Sequence, residues 1–119
     1  MLRIFTEERL GGKILEEWFP NRYGDYLICL LKKSGIENNF CIHDENLEFK
    51  NIQTTRIISL GQACTSTILN NKKMKMKDIA GKEFLFNNIK VYPWYTVSYI
   101  LLRGKKLEEQ TINFFRNIK

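Results

Sequence analysis

The sequence predicts a small α/β (or α+β) domain, a mixed sheet flanked by helices, and three observations carry that prediction. Segments with helical spacing of apolar residues alternate with short β-branched or aromatic runs, roughly helix, strand, helix, three strands, helix. That order belongs to an α/β layer rather than to a helical bundle. The closing stretch, Val91 to Lys119, joins the most apolar run of the chain to an amphipathic tail, as a buried strand followed by a docking helix would. At 119 residues, with 44% apolar and 13% aromatic side chains, the chain is expected to form a single domain over residues 1–119 with a modest core.

The first segment, RIFTEERLGGKILEEWF, has the least regular pattern. Gly11-Gly12 breaks it, and KILEEWF fits a short helix or a strand. In PNRYGDYLICLLKKSGI, Asn21 or Asp25 suits an N-cap, and Tyr26, Leu27, Leu30 and Leu31 form an apolar stripe. Lys32 and Lys33 fall in the last turn, where cations suit the helix dipole. Gly35 fits the left-handed position that ends a helix, and Ile36 the hydrophobic contact that follows it. Phe40 and Ile42 then alternate with Cys41 and His43 as a short strand, closed by an acidic loop.

KNIQTTRIISLGQACTSTIL divides at Gly61. Ile52, Ile57, Ile58 and Leu60 fit a helix begun near Thr54, while the β-branched TSTIL fits a strand. A turn at Asn70-Asn71, the basic run KKMKMK, Gly81 as a helix stop and a strand around Phe84 to Phe86 come next. The closing strand puts Val91, Tyr95, Val97, Tyr99 and Leu101 on one face, and Trp94, Ile100 and Leu102 on the other. Both faces are apolar, so both are expected to be covered. Leu107, Phe114, Phe115 and Ile118 recur at helical spacing in the tail.

A net charge of +6 permits a polyanionic partner without requiring one. No run reaches the ~20 apolar residues of a membrane span, and the N-terminus lacks a long apolar signal core. The cytoplasm is therefore the expected compartment. Cys29, Cys41 and Cys64 form no Cys-x-x-Cys pair and read as reduced, partly buried thiols. Cys41, His43, Asp44 and Glu45, with Cys64, are the nearest approach to a ligand set. Charged residues at a strand end are more simply a solvated loop, so neither metal nor cofactor is expected. One histidine and no nucleophile–base signature argue against an enzyme. Gly61 has no companion that would make a phosphate loop.

Lys72, Lys73, Lys75 and Lys77 form the densest basic run, suited to phosphate contacts, with Tyr92, Trp94 and Tyr95 as stacking platforms. The plainer reading is a solvated turn with Met74 and Met76 against the core. These features define one function class, a small basic nucleic-acid-binding domain. Another is a small protein-interaction or inhibitor protein that uses exposed aromatics.

Four stretches also carry a family resemblance. GDYLICLLKKSGI, NFCIHDENLEFKNIQTTRIISLGQACTSTIL, KKMKMKDIAGKEFLFNNIKV and YPWYTVSYILLRGKKLEEQTINFFRNI resemble, in order, the C-terminal half of the effector-binding domain of LysR-type transcriptional regulators. The resemblance spans roughly residues 20–119. It implies one lobe of a type 2 periplasmic-binding-protein-like fold that senses a small organic effector, without the DNA-binding domain. It further implies Thr54, Thr55, Gly61 and Gln62 as effector contacts, where helix N-termini favour anions; a helix start with two threonines is more often just an N-cap. The family shows two glycines and a proline around this turn, where this sequence has Gly61 alone, and its winged helix-turn-helix and first lobe have no counterpart in the sequence. The closing strand is then expected either inside the lobe's own sheet or against a second copy. In the latter case Tyr95, Val97, Tyr99 and Phe115 would hold a dimer.

Overall fold

Adjacent apolar residues that point to opposite sides build the sheet. The computed structural model describes residues 2–6, 22–36, 40–43, 56–71 and 73–118, with 22–23 and 40–43 described by backbone alone. The elements are β1 (Leu2–Thr6), α1 (Arg22–Lys33), β2 (Phe40–His43), β3 (Arg56–Leu60), α2 (Gln62–Leu69), α3 (Met76–Ile79), β4 (Phe84–Phe86), β5 (Ile89–Trp94), α4 (Val97–Arg103) and α5 (Lys105–Ile118). They form a five-stranded mixed sheet in the order β2-β1-β3-β5-β4. The first four strands of that order are mutually parallel, and β4 pairs antiparallel to β5 at one edge. Asn87 and Asn88, both at positive φ, make the tight turn between them.

The α/β prediction holds: a mixed sheet carries helices on both faces. Leu2 and Ile4 of β1, Ile58 and Leu60 of β3, and Trp94 of β5 face α1, α4 and α5 in one cluster. Phe5, Ile57 and Val91 face the other way, toward Ile68 of α2. Register explains the division, because Ile4 lies beside Ile58 and Arg3 beside Ile57, and side chains alternate along each strand. The Arg56 guanidinium donates to the Ile118 carbonyl, tying the end of α5 to the start of β3.

Helix α1 forms where its apolar stripe places it, with Leu27, Leu30 and Leu31 fully buried; Asp25 lies within its first turn rather than at an N-cap, and Asn21 lies outside the described residues. Gly35 has φ 85°, and the Ile36 N–H donates to the Leu31 carbonyl over 3.0 Å. The strands at Phe40–His43 and Phe84–Phe86 and the tail helix also form as expected.

Three expectations are corrected. Ile57, Ile58 and Leu60 lie on strand β3, not a helix, because neighbouring residues are buried on both faces of a central parallel strand. TSTIL is helical, within α2. Its hydroxyls fold back on the helix: Thr65 Oγ1 donates to the Gly61 carbonyl (2.8 Å) and Thr67 Oγ1 to the Ala63 carbonyl (3.0 Å). The closing strand stops at Trp94, and Val97–Arg103 is helix α4. Thr96 caps it, accepting from the Tyr99 N–H over 3.3 Å, and Val97 and Ile100 bury one face at helical spacing. The central strand β1 was not anticipated. Readings that fall on residues 7–21 and 44–55 lie outside the described residues.

Candidate functional site

Strands β3 and β5 run parallel, so they end on the same rim, with Leu60 beside Trp94. Open α/β sheets bind ligands outside the carboxyl ends of their strands, and a cleft of about 560 Å³ opens there. That volume falls in the range of small-ligand sites.

Three segments build it. From β3 the chain turns at Gly61, whose φ of 119° is one that side-chain-bearing residues rarely adopt. The Gly61 N–H donates to the Trp94 carbonyl (2.8 Å), and its own carbonyl accepts from the Thr65 N–H (3.1 Å). The buried Ser59 and Thr65 hydroxyls bond to each other, so the floor beneath the turn is satisfied. Gly61 and Gln62 form this side of the cleft. The β5–α4 connection brings Tyr95 and Thr96 and the first turn of α4 brings Tyr99, while Lys75, ahead of α3, and Met76 and Lys77, at the start of α3, complete the cleft.

The aromatic side is rigid. Tyr95 and Tyr99 stack at 5.1 Å and 24°, and the Arg103 guanidinium sits 5.8 Å from the Tyr99 ring centre. Trp94 meets Tyr95 edge-on at 5.2 Å and stacks on Phe114 at 4.4 Å. Its indole N–H donates to Thr111 Oγ1 (2.8 Å), which in turn donates to the Leu107 carbonyl (2.7 Å). The aromatic side is therefore anchored on α5. The opposite chemistry comes from Lys75 and Lys77, both exposed. None of the described residues lining the cleft is acidic, although exposed Asp78 follows Lys77 on α3.

The fold brings together residues that the sequence assigned to different functions. Gly61 and Gln62, expected from the resemblance as effector contacts, share the cleft with Lys75 and Lys77 of the basic run and with Tyr95 and Tyr99. Lys73 is exposed on the preceding turn, its N–H donating to Asn71 Oδ1 over 3.1 Å. Thr54, Thr55 and Lys72 lie outside the described residues.

The interface expectation needs correction at two positions. Val97 and Phe115 are 0% exposed inside the chain's own core, so neither can meet a second copy. Trp94 is a core residue rather than an open platform. Tyr92 donates to Glu83 Oε1 over 2.6 Å, and burial followed by this carboxylate raises its phenol. Cys29 is exposed and Cys64 half-buried, both as thiols. Among the described residues no three His, Cys, Asp or Glu side chains converge as a metal site would require. Among them, too, no helix is long and apolar enough to cross a membrane.

No protein-family model and no curated protein matches this chain. The geometry must therefore carry the functional argument. Sequence reasoning missed Thr96 and Met76 as cleft residues. Thr96 carried a usable signal, a threonine three residues before Tyr99 with Val97 and Ile100 at helical spacing.

Proposed function

We propose that the protein is a small basic module that binds single-stranded nucleic acid across the cleft at the ends of β3 and β5. Lys75 and Lys77 neutralise phosphates, and Tyr95 and Tyr99 offer ring faces to unstacked bases. One observation carries the reading: two exposed lysines and a stacked tyrosine pair line the same cleft. Tyr99 is 40% exposed, which leaves ring surface for a base. The net charge of +6 favours encounter with a polyanion. The proposal is of binding rather than catalysis, in the cytoplasm.

Fluorescence anisotropy with a labelled oligothymidylate, repeated across salt concentrations, tests it. Wild type should bind with log K falling linearly against log salt. Replacing both lysines by alanine should weaken binding and flatten that slope by about 1.4, since each phosphate contact on a single strand contributes roughly 0.7. Binding indifferent to salt, or to the loss of both lysines, would refute the reading.

A second reading keeps the regulatory lobe that the LysR-type resemblance implies. It is favoured by Gly61 and Gln62 lining this same cleft. A rise in Tm with a small organic acid or amino acid, in a protein that ignores the oligonucleotide, would select it.

A further inference from the structure

We infer that Gln62 is a positioning residue: its side-chain oxygen latches the lysine-bearing segment to the end of β3, and it acts on the ligand through Lys75 and Lys77. The inference rests on the nucleic-acid reading for what those lysines do. Helix α3 comprises four residues, Met76–Ile79. One turn of helix has little stability of its own in water. Its leading N–H groups need acceptors, and Lys75, at the N-cap position, has no side-chain oxygen to offer.

Gln62 supplies the acceptor from 14 residues away: the Met76 N–H donates to its Oε1 over 3.2 Å. Gln62 is itself firmly seated, as the first residue of α2 beside Gly61, whose N–H is held on the Trp94 carbonyl at 2.8 Å. The far end of α3 is moored separately. Ile79 is buried, and the Gly81 N–H donates to the Pro93 carbonyl over 2.9 Å. The segment thus has a mooring at each end, both on the rim where β3 and β5 finish. Gln62 holds the end that carries Lys75. Losing it would leave both lysines attached to the protein but no longer aimed together, which raises the entropy lost when a phosphate is bound.

The test places Gln62→Ala in the wild type and in the Lys75→Ala/Lys77→Ala background and titrates the same oligothymidylate. In the wild-type background the substitution should weaken binding about fivefold, the loss expected for one exposed hydrogen bond, and flatten the salt slope. In the lysine-free background it should cost nothing further. An equal loss in both backgrounds with an unchanged slope would mean that Gln62 touches the ligand directly, and the inference falls. Amide exchange reads the latch with no ligand present. Gln62→Ala should speed exchange at Met76 while leaving Gly81 unchanged; equal exchange at Met76 in both proteins overturns the latch however the oligonucleotide binds. Should Met76 respond as expected and wild type ignore the oligonucleotide, the latch stands and the nucleic-acid reading is what fails.

Discussion

Gly81 and Gly104 set crowding against backbone strain. Both have positive φ, 79° and 88°. A Cβ at position 81 would lie 3.3 Å from Trp94 Cζ3, whereas one at 104 would meet nothing within 4 Å. Trp94 cannot yield freely, since it stacks on Phe114 and donates to Thr111. Gly104→Ala should cost ~2–3 kcal/mol through the backbone alone, because φ 88° with ψ −161° is a region that side-chain-bearing residues essentially never enter. Gly81→Ala should cost ~2–3 kcal/mol for a different reason, a positive-φ penalty of ~1 kcal/mol plus displacement of a packed ring. Urea unfolding of the two variants checks both values, and a Gly81→Ala cost of only ~1 kcal/mol would mean that the ring moves aside without loss. The sequence made Gly81 readable as a helix stop. The close approach of Trp94 was not readable, because it depends on where β5 ends and how α5 docks.

Helices α1 and α5 are joined by side-chain hydrogen bonds, one of them from a phenol with a raised pKa. The Tyr26 phenol of α1 is pushed up to about 12, first by burial and then by the hydrogen bond it donates to the Glu108 carboxylate of α5. The Arg116 guanidinium adds a second link, donating to the Lys33 carbonyl over 3.3 Å. In the unfolded chain a tyrosine ionises near 10. A folded pKa above the unfolded one gives stability that is complete below pH ~10 and is lost as pH climbs toward ~12, because over that interval the native state holds a proton that the unfolded state has released. The Tm of wild type should fall from pH 10 to pH 12, and in Tyr26→Phe that fall should be shallower. Parallel curves would remove Tyr26 from the linkage. Helix α1 was legible because stripe, basic last turn and Gly35 all agree. Helices α2 and α4 were not, because Thr65, Thr67, Ile68, Val97 and Ile100 favour strands locally. Burial of Thr65 and Ile68 on one side of the sheet, and of Val97 and Ile100 on the other, overrides that preference.

At the scale of the whole molecule, the C-terminal pair α4–α5 covers the larger of the two sheet faces. Val97 sits in that cover, fully buried in the same cluster as Leu60, Trp94 and Phe115. The cleft depends on this cover too, because Tyr95 and Thr96 enter it from the β5–α4 connection and Tyr99 from α4 itself. Its parts were legible singly, Gly61 as a turn and Lys75 and Lys77 as a basic run. Their meeting was not, since it requires α4 to be a helix where local propensity favours strand. The two assignments predict opposite behaviour for Val97→Asp. On an exposed strand the substitution would split a dimer into folded monomers. In the observed core it buries a carboxylate without a partner, costing several kcal/mol against a total stability of only ~5–15 kcal/mol. Val97→Asp should therefore lose its cooperative thermal transition. Leu102→Asp, on the same helix but 82% exposed, should keep its Tm within about 2 °C of wild type, as surface changes generally do. Circular dichroism melts paired with size-exclusion chromatography decide the matter. A folded Val97→Asp protein eluting at half the wild-type mass would restore the interface assignment and overturn the buried one.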